Sequence, residues 1–292
     1  VKNTMLIINP ASGRGLSKVA IGTILSQLCE NGHIVTVYFT GKLTAEELAF
    51  EHAGQYELVV CTGGDGSISS VISGVLRSGA SIPIGYIPAG TANDIATTLS
   101  LSKTPAEAVK TIVGGAPKAL DIGFFGEKYF TYIAAFGAFT GVAYSTPQSA
   151  KRSLGHLAYV LAGLAEMPAI KARHTVVEYD GSTISGDFVF GAVVNSTSVA
   201  GFLKLDPQRV NLADGMFEIV LVRQPLDPVA FLDLMASLAM QNYDGDNIQL
   251  LQASCVKFTF EEDVAWTVDG EDGGVHSEVE ITNSHRAVSI IV

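Results

Sequence analysis

Residues 58–75 read LVVCTGGDGSISSVISGV, an apolar run, a loop holding three glycines and a series of apolar residues at helical spacing. Leu58 to Cys61 reads as a strand, and Ile68, Val71, Ile72 and Val75 recur every three to four positions behind it. A strand turning this sharply into a helix needs backbone freedom that glycine supplies. The same order recurs on both sides. Residues 5–8 form a strand ending in Asn9-Pro10, and Ile21, Ile24, Leu25 and Leu28 then mark a helix stopped by Asn31-Gly32. Residues 34–39 make a second strand, and Thr44-Ala45-Glu46-Glu47 is a capping box. Residues 82–87 make a fourth strand, irregular at Pro83, and Thr104-Pro105-Ala106-Glu107 combines a capping box with proline at the first helical position.

Strands alternating with helices predict an α/β domain, a parallel sheet with helices on both faces. In such sheets ligands bind beyond the carboxyl ends of the strands. The loops at Asn9, Gly63 and Gly90 all follow strands, so they are expected along one edge.

After about Leu120 the rhythm changes. Residues 124–139 read as a hairpin turning at Gly126-Glu127, and a helix is expected over residues 154–167. Residues 176–179 and 188–194 read as paired strands around Asp180-Gly181, with further strands at 217–222, 256–260, 279–281 and 288–291. Runs of strands without helical crossovers predict a β-rich, antiparallel, sandwich-like second domain. The expected division is residues 1–123 and 124–292, with the site in the cleft between them.

A chain of 292 residues suits two domains, and 48% hydrophobic with 16% charged residues is a globular composition. A net charge of -11 speaks against a nucleic-acid surface. Cys29, Cys61 and Cys255 form no CxxC pair and read as small packed hydrophobes of a reducing compartment. The N-terminal residues lack the long apolar core of a signal peptide, and residues 154–170 are interrupted by His156, Glu166 and Pro168. The expected location is cytoplasmic, peripheral to the membrane at most.

Four stretches offer chemistry. In Asn9-Pro10-Ala11-Ser12-Gly13-Arg14-Gly15 the glycines let backbone N–H groups approach an anion, yet the stretch equally suits a tight turn. In Gly63-Gly64-Asp65-Gly66-Ser67 the carboxylate repels phosphate, so a phosphate loop there requires an intermediary such as magnesium; otherwise Asp65 caps the next helix. Gly90-Thr91-Ala92-Asn93-Asp94 offers a hydroxyl, an amide and a carboxylate, or a helix cap. Val268-Asp269-Gly270-Glu271 is an acidic turn whose carboxylate could serve as a general base toward an alcohol.

Taken in order, NPASGRG, GGDGS, GTAND and VDGE resemble the diacylglycerol kinase catalytic-domain family, which includes bacterial soluble lipid kinases and sphingosine kinases. The resemblance implies transfer of the γ-phosphoryl group of ATP to a lipid hydroxyl such as that of diacylglycerol, with magnesium. It implies nucleotide contacts from Asn9, Pro10, Ala11, Ser12, Gly13, Thr40, Gly63, Gly64, Asp65, Gly66, Ser67, Ile68, Ser69, Thr91 and Asn93. Asp65 would work with magnesium, and Glu271 would take the acceptor proton. Asn211-Leu212-Ala213-Asp214-Gly215-Met216 is similar to the family's structural magnesium site, giving Asp214 with the carbonyls of Asn211 and Met216. Transient contact with a membrane surface and a homodimer are compatible with it.

The chain departs from the family pattern after the second loop, where Ser69 and Ser70 replace an Asn-Glu pair and Ser67 replaces threonine. Two rival readings therefore stand beside the lipid kinase. One is a kinase of NAD or another small alcohol; the other is a nucleotide-binding regulator that has lost catalysis.

Overall fold

The computed structural model describes residues 1–11, 17–137, 171–199, 203–206, 208–240, 242–243, 245 and 247–292. These form two compact units. The first gathers Val1–Thr131, Leu212–Gly215 and Ser284–Val292; the second gathers Tyr132–Asn211 and Met216–Asn283. The helix expected over 154–167, together with Ser12 and Gly13, lies outside the described residues.

In the first unit β1 (Lys2–Ile8) runs parallel to β2 (His33–Phe39) on one side and β3 (Leu58–Gly63) on the other. Strand β4 (Pro83–Pro88) runs parallel to β3. Ser17 opens α1 (Lys18–Glu30) by accepting the Ala20 N–H at 3.1 Å, and Gly32 ends it with φ at 84°. The Thr44 capping box of α2 (Ala45–His52) forms reciprocally: Thr44 Oγ1 accepts the Glu47 N–H at 3.1 Å, and Glu47 Oε2 accepts the Thr44 N–H at 2.7 Å.

Three more helices complete the unit, α3 (Asp65–Ser78), α4 (Asp94–Thr98) and α5 (Pro105–Gly114). Pro105 takes the first helical position, but the expected Thr104 capping box does not form. The Thr104 hydroxyl turns instead to Ser102 Oγ at 3.2 Å. Leu6, Ile8, Leu58, Val60 and Ile87 of the strands pack with Ile24 and Leu28 of α1 and with Val109 and Ile112 of α5. Strands β5 (Pro117–Phe125) and β6 (Lys128–Phe130) form the hairpin expected at Gly126-Glu127, with Phe125 opposite Lys128.

The second unit contains β7 (Ile133–Gly137), β8 (Arg173–Tyr179), β9 (Ser182–Val194), β10 (Ser198–Val199), β11 (Leu203–Lys204) and β12 (Phe217–Arg223). It continues with α6 (Pro228–Met240), β13 (Ile248–Ala253), β14 (Cys255–Val268) and most of β15 (Glu271–Ile291). Its strand order is β13-β12-β9-β7-β14-β15, and the pairs are antiparallel. Strand β8 pairs with both β9 and β14, so β7, β9, β8 and β14 close a four-stranded ring. Phe136 packs against Phe260 at 4.9 Å, Trp266 at 5.0 Å and Phe258 at 5.8 Å between ring centroids, which makes it a core residue.

The expected fold class requires correction. The strands do not divide into a free-standing parallel sheet and a two-layer antiparallel sandwich. Antiparallel pairs dominate, and the second unit closes into a ring, a solution that leaves its four strands without free edges. Among the described pairs of known direction, parallel pairing occurs within β1–β4 and at the very end of β15, where Ser289 and Ile290 pair with Pro83 and Ile84 of β4. The segments expected as strands 279–281 and 288–291 are one continuous strand of 21 residues. Its pairing with β14 carries two register shifts and reaches Thr282, beyond which Ser289 and Ile290 pair with β4.

Candidate functional site

Parallel register brings three loops of the first unit to one edge. Ile8 lies opposite Thr62, and Gly63 lies opposite Pro88. Asn9 is fastened there twice, by its N–H to the Thr62 carbonyl at 3.2 Å and by Nδ2 to Ser67 Oγ at 3.0 Å. Its Oδ1 accepts the Ala11 N–H at 3.0 Å, which turns the chain at Pro10. Thr40, at the end of β2, donates its N–H to the Ile8 carbonyl at 3.0 Å and reaches the same edge.

The second and third loops touch backbone to backbone. The Ala89 N–H donates to the Gly63 carbonyl at 2.7 Å. A Cβ at Gly90 would lie 2.5 Å from Gly64 Cα and 2.8 Å from Asn93 Oδ1, so the third loop needs glycine where it crosses the second. Asn93 sits in the left-handed region at φ 55° and is buried. Its side chain closes the third loop on itself, with Oδ1 accepting the Gly90 N–H and Nδ2 donating to the Gly90 carbonyl, both at 2.9 Å. The buried Tyr86 hydroxyl donates to the Gly63 carbonyl at 3.2 Å from beneath.

Asp65 joins this cluster through its carboxylate. Its Oδ1 accepts the Ile95 N–H at 3.1 Å, tying the start of α3 to the start of α4. Thr91 is exposed on the loop between β4 and α4. Ile68 is fully buried and Ser69 nearly so, so at the start of α3 the half-buried groups are Gly64, Asp65 and Gly66. Gly64 caps α3 with no side-chain bond to its N–H groups, and the first turn of a helix leaves such donors pointing outward.

The fit of an anionic, metal-bearing ligand can be judged from these atoms. Thr62 Oγ1 is buried at this edge with no hydrogen-bond partner among the described residues. Gly64 and Gly90 cross backbone to backbone with no room for a side chain at Gly90, and Asp65 beside them supplies the oxygen donor magnesium prefers. These features fit nucleotide phosphates with magnesium. Cys61 lies one residue deeper, where burial pushes its thiol far up and leaves it inert.

The other carried-over residues stand elsewhere. Glu271 opens β15, exposed, directly after a two-residue turn in which Asp269 and Gly270 take φ of 48° and 81°. Asp269 fixes that turn: its Oδ1 accepts the N–H groups of Tyr132 at 3.0 Å and Ile133 at 3.1 Å, and its own N–H donates to the Ile133 carbonyl at 2.8 Å. Asn211 and Met216 belong to the second unit and Asp214 to the first. Among the described residues no three His, Cys, Asp or Glu side chains cluster as metal ligands. A site of one carboxylate with two backbone carbonyls is of a different kind.

Sequence reasoning passed over Asp121. It is fully buried, and its carboxylate accepts the Gly215 N–H at 2.6 Å and the Arg286 N–H at 2.7 Å, with His285 Nδ1 at 3.0 Å. Its own N–H donates to the Leu212 carbonyl at 2.7 Å. One side chain thus holds residues 212–215 and the end of β15 within the first unit. The available signal was an acid inside the otherwise apolar run ALDIGFF.

Residues 3–125 match the diacylglycerol kinase catalytic domain, and residues 136–291 match the YegS C-terminal NAD kinase beta sandwich-like domain. A diacylglycerol kinase of Bacillus subtilis (strain 168) is 30% identical over 300 residues, covering 100% of this chain and 97% of that protein. One from Staphylococcus epidermidis (strain ATCC 12228) is 31% identical over 277 residues, covering 94% and 87%. A solved structure of a diacylglycerol kinase from Bacillus anthracis strain Sterne matches with a TM-score of 0.78 at 19% identity, over 99% of this chain and 96% of the other. That last likeness concerns the fold alone.

Proposed function

The chain belongs to the diacylglycerol kinase family of lipid kinases, and from that premise we propose that it transfers the γ-phosphoryl group of ATP to the hydroxyl of diacylglycerol or a related lipid alcohol. The observation that carries this reading is the meeting of Asn9, Gly64, Asp65 and Gly90 at the N-terminus of α3. Outward N–H groups there suit phosphate oxygens.

In this reading Asn9 to Gly13, Thr40, Gly63 to Ser69 and Thr91 line the nucleotide, and Asn93 holds the Gly90 backbone in place for it. Residues 1–123 serve the nucleotide and residues 124–292 the acceptor. Asp65 Oδ1 is engaged by Ile95, so Oδ2 is the oxygen that would serve the metal. Magnesium, when bound, neutralises phosphate charge and favours in-line attack. Asp214 with the carbonyls of Asn211 and Met216 would hold it at a second, structural position.

Glu271 supplies the base. As the acceptor oxygen bonds to the γ-phosphorus, its proton passes to the Glu271 carboxylate and the bridging oxygen leaves with ADP. Among the described residues no helix is long and apolar enough to cross a membrane. In this reading the enzyme meets its lipid from the aqueous side, in the cytoplasm.

The test is a screen of lipid extracts with labelled ATP. Label is expected in the organic phase, with the signal lost in Glu271→Gln while ATP binding persists. Label in the aqueous phase would redirect the assignment to a soluble alcohol. Tight ATP binding with no turnover on any lipid would leave the regulator, the reading that Ser69 and Ser70 support.

A further inference from the structure

Helix α6 breaks the pattern that solvent-facing helices obey, which is an apolar face inward and a polar face outward. Phe231 and Leu234 point inward and are buried. The opposite face carries Val229, Leu232, Ala236 and Met240, spaced so that they fall in one stripe along the helix. Val229 is 66% exposed, Leu232 49% and Met240 79%, and Leu226 just before the helix is 95% exposed. Only Asp233 and Ser237 interrupt this apolar surface. The helix start is firmly set, because Asp227 Oδ1 accepts the N–H groups of Val229 at 2.9 Å and Ala230 at 2.8 Å.

We infer that Leu226 and the outer stripe of α6 insert into the interfacial region of a lipid bilayer and dock the enzyme on it. The inference rests on the reading that the acceptor is a membrane lipid, which obliges the protein to meet a bilayer. Charge narrows the occupant further. The chain between Arg223 and Lys257 contains no Lys or Arg, while Asp227 and Asp233 flank the stripe. Such a surface gains nothing from anionic headgroups, so its affinity comes from burying apolar side chains in a neutral membrane. A second copy is a poor occupant, since each chain carries a net charge of -11 and copies repel. With 13 residues the helix is about 20 Å long, too short to cross a hydrocarbon core of about 30 Å, so it lies along the surface.

The test uses the full chain with vesicles of phosphatidylcholine, with phosphatidylcholine plus phosphatidylglycerol, and with either at low and high salt. Co-sedimentation is expected on the neutral vesicles and is insensitive to salt. Leu232→Glu and, separately, Leu226→Glu reduce it roughly tenfold or more, while Ile34→Glu, an exposed apolar position of the first unit, leaves it unchanged. Leu226 is so exposed that its substitution spares the fold, which keeps the test decisive if Leu232→Glu misfolds. In the kinase assay both variants raise KM for vesicle-borne diacylglycerol and leave turnover of a water-soluble, short-chain diacylglycerol intact.

Unchanged sedimentation of Leu226→Glu would overturn the inference. Binding confined to anionic vesicles and abolished by salt, or a dimer that these substitutions dissociate, would overturn it too. Vesicle binding that follows the prediction in a protein with no lipid-stimulated turnover would defeat the functional reading and leave the docking surface standing.

Discussion

The carboxylate of Asp65 accepts the backbone N–H of Ile95 at 3.1 Å, clasping two helix starts that lie 30 residues apart. The residue thus has a structural duty and, in the proposed reaction, a magnesium-binding one. The two separate by substitution. Asp65→Asn keeps an oxygen for Ile95 but loses the charge; its melting temperature is expected near that of the parent, with turnover down on the order of a hundredfold. Asp65→Ala is expected to lose stability as well. Thermal unfolding and initial rates check both, and full activity in Asp65→Asn would reduce the residue to a clasp.

Gly90→Ala drives a methyl into Gly64 and the Asn93 amide. The loops must part, at a cost of about 1–3 kcal/mol. Denaturant unfolding should register that loss, and ATP affinity measured by calorimetry should fall with it. Unchanged affinity would mean that the crossing does not shape the nucleotide cradle.

Glu271 and Asp269 are two residues apart in one turn but have opposite duties. Glu271 is exposed, so Glu271→Gln is expected to preserve stability and ATP affinity and to abolish lipid phosphorylation. Asp269 is buried under two backbone N–H groups, so Asp269→Ala should destabilise by about 1–3 kcal/mol through those orphaned donors. Equal effects of the two substitutions on unfolding would contradict this division.

His33 is buried at the start of β2 with Nδ1 2.8 Å from Thr4 Oγ1, and burial first, then the charge of Lys2, holds its pKa below the ordinary 6.5. A base with a lowered folded pKa is neutral in the fold while the unfolded chain takes up the proton. Stability is therefore complete above pH 6.5 and falls as pH drops from there through the folded value. Urea unfolding between pH 7.5 and pH 5 should show the decline, and His33→Gln should flatten it.

How much of this was legible beforehand varied with the range of the interaction. The Thr44 capping box, the Gly32 stop and the Asp180-Gly181 hairpin follow from residues within a few positions of each other, and all three formed. The Thr104 box used the same signature and failed, because Ser102 offered its hydroxyl a nearer partner. The polar stretch at the start of β9 and the whole of β13 escaped notice, since their mixed polar and apolar residues carry no clear period and pairing with β8 and β12 is what makes them strands. Asp269-Gly270 was legible as a turn but not as the hairpin of the two longest strands.

The sequence by itself determined the strand-to-helix turns, the glycines at Gly63, Gly64 and Gly90 and the order of the motifs, because backbone sterics and hydrophobic period act locally. Only the tertiary structure decided that β15 would change partners from β14 to β4, that four strands would close a ring, and that Asp121 would hold His285 from 164 positions away. Those choices depend on which distant groups bury a surface or satisfy a buried charge together. No window of neighbouring residues contains that information.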